Sequence, residues 1–154
     1  MMHTAPFTPV HWTRPLLTPY TCMSVLPGHC TFQGLLRLIE DGQLRWAFNI
    51  GIPGKSKRTI RVWAESLNAY LAGGTPRRED AEADLSRIVN QISPAPVISV
   101  QDLANAWNAK TDLVFDLARR GYLKLLKLPC RGCKGSPPVR MTDVARFLRA
   151  GRLP

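Results

Sequence analysis

The order of helix and turn signals between Ile98 and Leu148 constrains the fold of this 154-residue chain most strongly. Ser99 can cap a helix, because a hydroxyl at that position accepts a hydrogen bond from the first turn. A second helix with apolar residues at helical spacing is predicted to begin at Thr111. It is expected to end at Gly121, since glycine readily adopts the left-handed conformation that follows many helices.

The residues after Gly121 predict two strands and a closing helix. Residues 122–126 and 139–141 are expected to form the strands, with a hairpin tip at 129–138. Thr142 or Asp143 is then expected to cap a last helix. The whole stretch predicts a compact unit of two helices, a strand pair and a third helix.

This order, with "R-G-Y-L" after the second helix and "D-V-A-R-F-L" in the last one, resembles the excisionase-like winged-helix family, which is related to the MerR DNA-binding domain. The resemblance covers about fifty residues and depends on order and spacing. It implies a module whose second helix enters the major groove of DNA while the wing contacts the backbone or the minor groove. Carried onto this chain, the second helix means Lys110, Thr111, Asp112 and Phe115, and the wing means Lys127, Arg131, Lys134 and Arg140. Lys124 is a further candidate DNA contact.

A weaker copy of the same pattern lies in residues 31–71. Thr31 can cap a helix that ends before Gly42, and a strand, a glycine-bearing basic hairpin, a returning strand and a closing helix are predicted to follow. Gly42 precedes Gly121 by 79 positions, and "S-L-N-A-Y-L" precedes "D-V-A-R-F-L" by 77. This nearly constant offset predicts an internal duplication of the unit.

The first copy departs from the pattern at its front, in residues 21–30. Pro27 and Gly28 would end any helix there, so the first helix is expected to be short or rearranged. The candidate DNA contacts in this copy are Thr31, Gln33 and Arg37 on the helix, and Lys55, Lys57, Arg58 and Arg61 in the hairpin region.

The net charge of +10 indicates a polyanionic partner such as DNA or RNA, although an anionic membrane surface would also attract such a chain. Residues 42–61 hold five basic and no acidic residues, and residues 101–154 hold eleven basic and four acidic ones. Residues 77–93 are close to neutral. The longest apolar runs are far shorter than a membrane span of about 20 residues.

We therefore expect an α+β, mostly helical fold of two tandem winged helix-turn-helix domains joined by a connector helix. Residues 1–19 are expected to form an extended arm, which is too rich in proline for a secretory signal. Residues 20–74 are assigned to the first domain, 75–96 to the connector helix and its proline-containing joint, and 97–154 to the second domain. The connector helix could instead mediate dimerisation, but its apolar stripe is short for a coiled coil.

The cysteines raise the question of a zinc site. Cys130 and Cys133 form a C-x-x-C at the expected wing tip, which resembles half of a zinc knuckle. Cys22 and Cys30 are the candidates for the remaining ligands, with His29 between them. A disulfide and unligated thiols are the alternatives.

Catalytic motifs are absent from the sequence, and we expect no enzyme and no required cofactor. We expect a cytoplasmic, nucleoid-associated protein that binds double-stranded DNA, with a recombinase or a second copy of the chain as further partners. It would act as an excisionase-like recombination accessory factor or as a transcription regulator. One alternative is an adaptor that recruits a recombinase or transposition subunit, with Trp46, Trp63, Phe115 and Tyr122 on its surface. The other is RNA binding through the paired aromatic side chains of Trp46 and Phe48.

Overall fold

The computed structural model describes residues 12–28, 30–73, 81–126 and 137–153. Within this part the fold is α+β, with seven helices and two small antiparallel sheets, and about half of the described residues are helical. The expected fold class is confirmed at this level.

The elements fall into a first half, residues 12–73, and a second half, residues 97–153, with one helix between them. The first half contains β1 (Leu16–Leu17), α1 (Pro19–Val25), α2 (Phe32–Glu40), β2 (Ala47–Asn49), β3 (Ile60–Trp63) and α3 (Ala64–Leu71). The connecting helix is α4 (Ala81–Ile92). The second half contains β4 (Val97–Ser99), α5 (Val100–Ala106), α6 (Thr111–Arg119), β5 (Pro138–Arg140) and α7 (Met141–Ala150).

The two halves repeat the same order of elements. In the first half β3 lies between β1 and β2, and both pairings are antiparallel. In the second half β5 pairs with β4 in the same way, and a single antiparallel bridge from Leu125 occupies the position of β2. The corresponding rows across the sheets are Leu17, Val62 and Ala47 in the first half, and Ile98, Val139 and Leu125 in the second.

Local signals fix the helix ends where the sequence predicts them. The Thr31 hydroxyl accepts a hydrogen bond from the Gly34 amide at 3.1 Å, and the Ser99 hydroxyl accepts one from the Asp102 amide at 3.1 Å. Each bond satisfies one of the amides that a helix N-terminus leaves without a partner. Gly121 has φ +85° just after α6, as its predicted role requires.

Several short elements differ from the sequence-based expectation. Residues 122–126 form only the single bridge at Leu125, and the main partner of β5 is β4, a strand that was not predicted. The expected arm at 1–19 contributes β1, whose Leu16 is fully buried. The last helix begins at Met141 and its N-cap residue is Arg140, and not Thr142 or Asp143 as predicted. Strands of two or three residues are too short to show the alternation of apolar and polar residues from which strands are predicted.

The hydrophobic core crosses from one half to the other. One cluster lies within the first half, around Leu35 and Val62. The second cluster combines the interior of the second half with Phe48 and Trp63 of the first, and with the buried face of α4. The apolar stripe of α4 is therefore buried inside this chain, which favours the connector interpretation over a dimerisation helix.

Arg61 on β3 joins the halves at the turn between α5 and α6. Its Nε donates to the carbonyl of Trp107 at 2.8 Å, and its Nη2 donates to the carbonyl of Asn108 at 2.8 Å. The Asn108 side chain donates to the carbonyl of Leu16 at 2.6 Å. Positive charge at the carboxyl end of a helix is favourable, so Arg61 caps α5 from the other half.

The last described residues extend the sheet of the first half. The Asn49 amide donates to the carbonyl of Gly151 at 2.7 Å, and the Leu153 amide donates to the carbonyl of Ala47 at 2.8 Å. A Cβ atom on Gly151 would lie 2.5 Å from the Asn49 oxygen, a separation that real Cβ atoms do not adopt. This pairing requires glycine at position 151 and fixes α7 to β2.

Candidate nucleic-acid interface

The β2–β3 loop, residues 50–59, has a closed base. The Ile50 amide donates to the carbonyl of Thr59 at 2.9 Å. The side-chain oxygen of Asn49 accepts from the amides of Gly51 and Thr59, both at 3.0 Å. These bonds hold the two strands together, so the tip projects from a fixed base.

The tip of this loop carries three cations. Lys55, Lys57 and Arg58 are all exposed. None of the ion pairs found between described residues involves them. The loop therefore presents a concentrated positive charge that the described part of the chain does not neutralise.

The helix α6 presents cations at both of its ends. Val114 and Leu117 are fully buried and orient the helix on the core. Lys110, its N-cap residue, is exposed, and Thr111 is half-buried. The exposed cations near its carboxyl end are Arg119, Arg120 and Lys124.

The β2–β3 loop lies close to the carboxyl end of α6. A hydrogen bond from Arg119 lowers the pKa of Asp116 below its ordinary value. The positive charges of Arg120 and Lys55 lower this pKa further, so Lys55 lies within electrostatic range of α6.

A groove of about 390 Å³ separates the base of the loop from the segment after α6. Gly51 and Pro53 line one side, and Gly121 and Tyr122 line the other. Arg146 of α7 also lines it and pairs loosely with Asp143, at 3.7 Å. The two basic segments therefore lie on either side of one groove.

Arg61, a predicted DNA contact, has a structural role that the prediction did not include. The guanidinium donates to main-chain carbonyls of both halves, and its burial lowers its pKa below the ordinary value. Arginine nevertheless stays charged at neutral pH. Its charge is used to bond the halves together and is not presented on the loop.

The other expected contacts are distributed unevenly. Thr31, Gln33 and Arg37 are exposed on α2, but exposed Glu40 and Asp41 follow directly. Arg140 is exposed at the start of α7. Lys127, Arg131 and Lys134 of the expected second wing lie outside the described residues.

Arg120 and Arg146, which lie at this surface, were not among the predicted contacts. Arg119 and Arg120 directly precede Gly121, the residue predicted to end the helix. Their position in the sequence could have identified these arginines. Two arginines directly before a glycine that ends a helix lie at the carboxyl end of that helix.

The aromatic side chains are mostly interior. Trp46 and Trp63 are only 3% and 5% exposed, and their indole N–H groups donate to Asp84 and Gln91 of α4. The expectation that these two residues form an exposed docking surface is wrong. Phe48 is also buried, so the Trp46–Phe48 pair expected for RNA stacking is not accessible. Tyr122, at 42% exposed, is the accessible member of the expected set, and Phe115 is half-buried.

Three of the residues considered for the zinc site, Cys130, Cys133 and His29, lie outside the described residues. Cys22 is fully buried, and burial raises the pKa of its thiol to about 12. Cys30 is half-buried. No group of three or more metal-ligating side chains occurs among the described residues. Zinc therefore stays a prediction, and it would require deprotonation of a thiol that burial keeps neutral.

The positive loop, the basic end of α6 and the groove between them are the surface features from which a function can be argued. Among the described helices, none is long and apolar enough to cross a membrane. Comparisons with protein-family models, with curated proteins and with solved structures found no match for this chain.

Proposed function

We propose that this protein binds double-stranded DNA through two linked winged-helix modules, as an excisionase-like recombination accessory factor or a transcription regulator. The observation that carries the proposal is the cluster of exposed cations on the β2–β3 loop beside the basic end of α6. A chain with a net charge of +10 attracts polyanions, and this cluster offers a specific surface for one.

The repeated order of elements supports the assignment to winged helices. In each half a strand precedes two helices, and a second strand, which pairs with the first, leads directly into a third helix. In this interpretation α2 and α6 are the second helices of the two modules, and the β2–β3 loop is a wing. Such a wing contacts the DNA backbone or the minor groove while the second helix lies in the major groove.

The proposed mechanism separates affinity from base recognition. Lys55, Lys57 and Arg58 neutralise phosphates and release counterions, which gives an affinity that falls steeply with salt. Lys110 and Thr111, at the amino end of α6, are the side chains proposed to reach base edges. Because the halves share a core, their binding surfaces are held in a fixed relation before DNA arrives.

The test is a fluorescence anisotropy titration of a random-sequence duplex at several salt concentrations. We expect Lys55→Glu, Lys57→Glu and Arg58→Glu together to weaken binding strongly and to flatten its salt dependence. The control is Arg87→Gln, which removes a cation of α4 that is already paired with Glu65 and should leave affinity and salt slope unchanged. Unchanged affinity and salt slope in the triple variant would remove the loop from the interface.

A protein-binding adaptor remains the second candidate because of two exposed aromatic residues on the first half. Tyr20 is 79% exposed on α1, and Phe32 is 43% exposed at the start of α2. Exposed aromatic side chains are typical anchors of protein interfaces. An adaptor would show little affinity for duplex at low salt, whereas a DNA-binding protein would show its highest affinity there.

A further inference from the structure

We infer that the β2–β3 loop of the first half and α6 of the second half form one duplex-binding surface, so that each half supplies a different part of a single site. In two independent tandem domains, each loop would be expected to bind DNA together with the second helix of its own half. Here the loop of the first half lies beside the helix of the second. This inference rests on the proposed function and specifies how its surface is assembled.

The groove provides the geometric basis. Gly51 and Pro53 belong to the loop, and Gly121 and Tyr122 follow α6, yet the four residues line one cavity. No residue of α2 lines it. A DNA backbone that enters the groove at this point would therefore meet the loop and the segment directly after α6 together.

The charges on the two sides of the groove have the same sign. Lys55 on the loop and Arg120 after α6 are both exposed, and neither is in an ion pair with another described residue. Lys55 is two residues from Pro53 and Arg120 directly precedes Gly121, and both of these neighbours line the groove. A phosphate backbone in the groove is therefore attracted from both sides.

The junction that holds these elements together is bonded at two points. Arg61 lies on β3, the strand that leaves the loop, and it binds the turn directly before α6. Asn49 lies on β2, the strand that enters the loop, and it binds Gly151 after α7. Both strands of the hairpin are therefore bonded to the second half, which fixes the position of the loop relative to α6.

The helix α2 lacks an equivalent surface. At its carboxyl end, Arg37 and Arg45 are balanced by Glu40 and Asp41, and Arg45 donates to the carbonyl of Gly42 just beyond the helix. An end without net positive charge does not attract phosphates. The proposed site is thus asymmetric, because the loop binds the DNA backbone together with α6 and not with α2.

The experiment uses the full chain and a short duplex of about 12 base pairs, slightly more than one helical turn of DNA. Binding stoichiometry is measured by calorimetry, and the salt slope of the association constant is measured for Lys55→Gln, Arg120→Gln and the double variant. For one shared surface we expect one duplex per chain. Each single variant should reduce the slope by about 0.9, and the double variant by about 1.8. Arg87→Gln is the control, and its slope should equal that of the unaltered chain.

The outcomes distinguish the inference from the proposed function. Two duplexes per chain, or a slope that responds to Arg120→Gln but not to Lys55→Gln, would overturn the shared surface while leaving DNA binding intact. Failure of the unaltered chain to bind duplex at low salt would overturn the proposed function itself. Thermal unfolding of each variant checks that a lost slope does not reflect a lost fold.

Discussion

Replacing Arg61 by methionine tests how much the hydrogen bonds of this side chain between the two halves contribute to stability. Methionine keeps much of the aliphatic length of arginine but removes the donors to the carbonyls of Trp107 and Asn108. A hydrogen bond from a charged donor contributes about 1.5–3 kcal/mol, and because Arg61 is only half-buried we take the lower end for each of the two bonds. We therefore expect Arg61→Met to lower the free energy of unfolding by about 3 kcal/mol.

The measurement is urea denaturation at 25 °C, followed by tryptophan fluorescence and by circular dichroism. The matched control is Arg37→Met, an identical substitution at an exposed position, where the change should stay within about 0.5 kcal/mol. Equal losses in the two variants would refute the assignment of Arg61 as a bond between the halves. A DNA contact by Arg61 would instead appear as weaker binding with unchanged stability.

Three further results are expected. Gly151→Ala should destabilise the fold by about 1–3 kcal/mol, because the new Cβ would break the pairing with β2, whereas Gly34→Ala within α2 should be neutral or stabilising in the same denaturation assay. Trp107→Phe should lower the free energy of unfolding less than Trp63→Phe does. The buried indole N–H of Trp107 has no acceptor among the described residues, whereas that of Trp63 donates to Gln91. Equal losses in the two variants would contradict this. The Cys22 thiol should resist alkylation at pH 8 until the chain unfolds, and stability should fall as pH rises from 9.0 toward about 12, because the unfolded thiol ionises in that range while the folded one stays protonated.

Signals that act over a few residues were sufficient to predict much of the fold. Thr31 and Ser99 cap helices as expected, and Gly121 ends α6 in the left-handed conformation. Each of these residues acts through a hydrogen bond or a backbone preference that depends only on its neighbours in sequence. The repeat of the element order could likewise be sought from the spacing of such signals.

Features that depend on contacts between the halves could not be predicted in this way. Arg61 is a basic residue that follows a basic loop in the sequence, which is typical of a DNA contact. Only the packing of β3 against the α5–α6 turn gives it a structural role. Trp46 lies beside a basic loop in sequence, yet the partner that buries it is α4, with Asp84 as its acceptor. The proximity of Lys55 to α6 also arises from this packing.

The salt dependence of duplex affinity for the unaltered chain tests the central claim most directly. Apart from Lys110, which is assigned to base edges, the exposed cations on the loop and near α6 that lack an ion pair with described residues are Lys55, Lys57, Arg58, Arg120 and Lys124. At about 0.9 per neutralised phosphate, these five give an expected slope of about −4.5 in a plot of log association constant against log salt. A slope between about −3.5 and −5.5 would agree with a phosphate surface assembled from these residues. A slope near zero, or no binding at low salt, would contradict it.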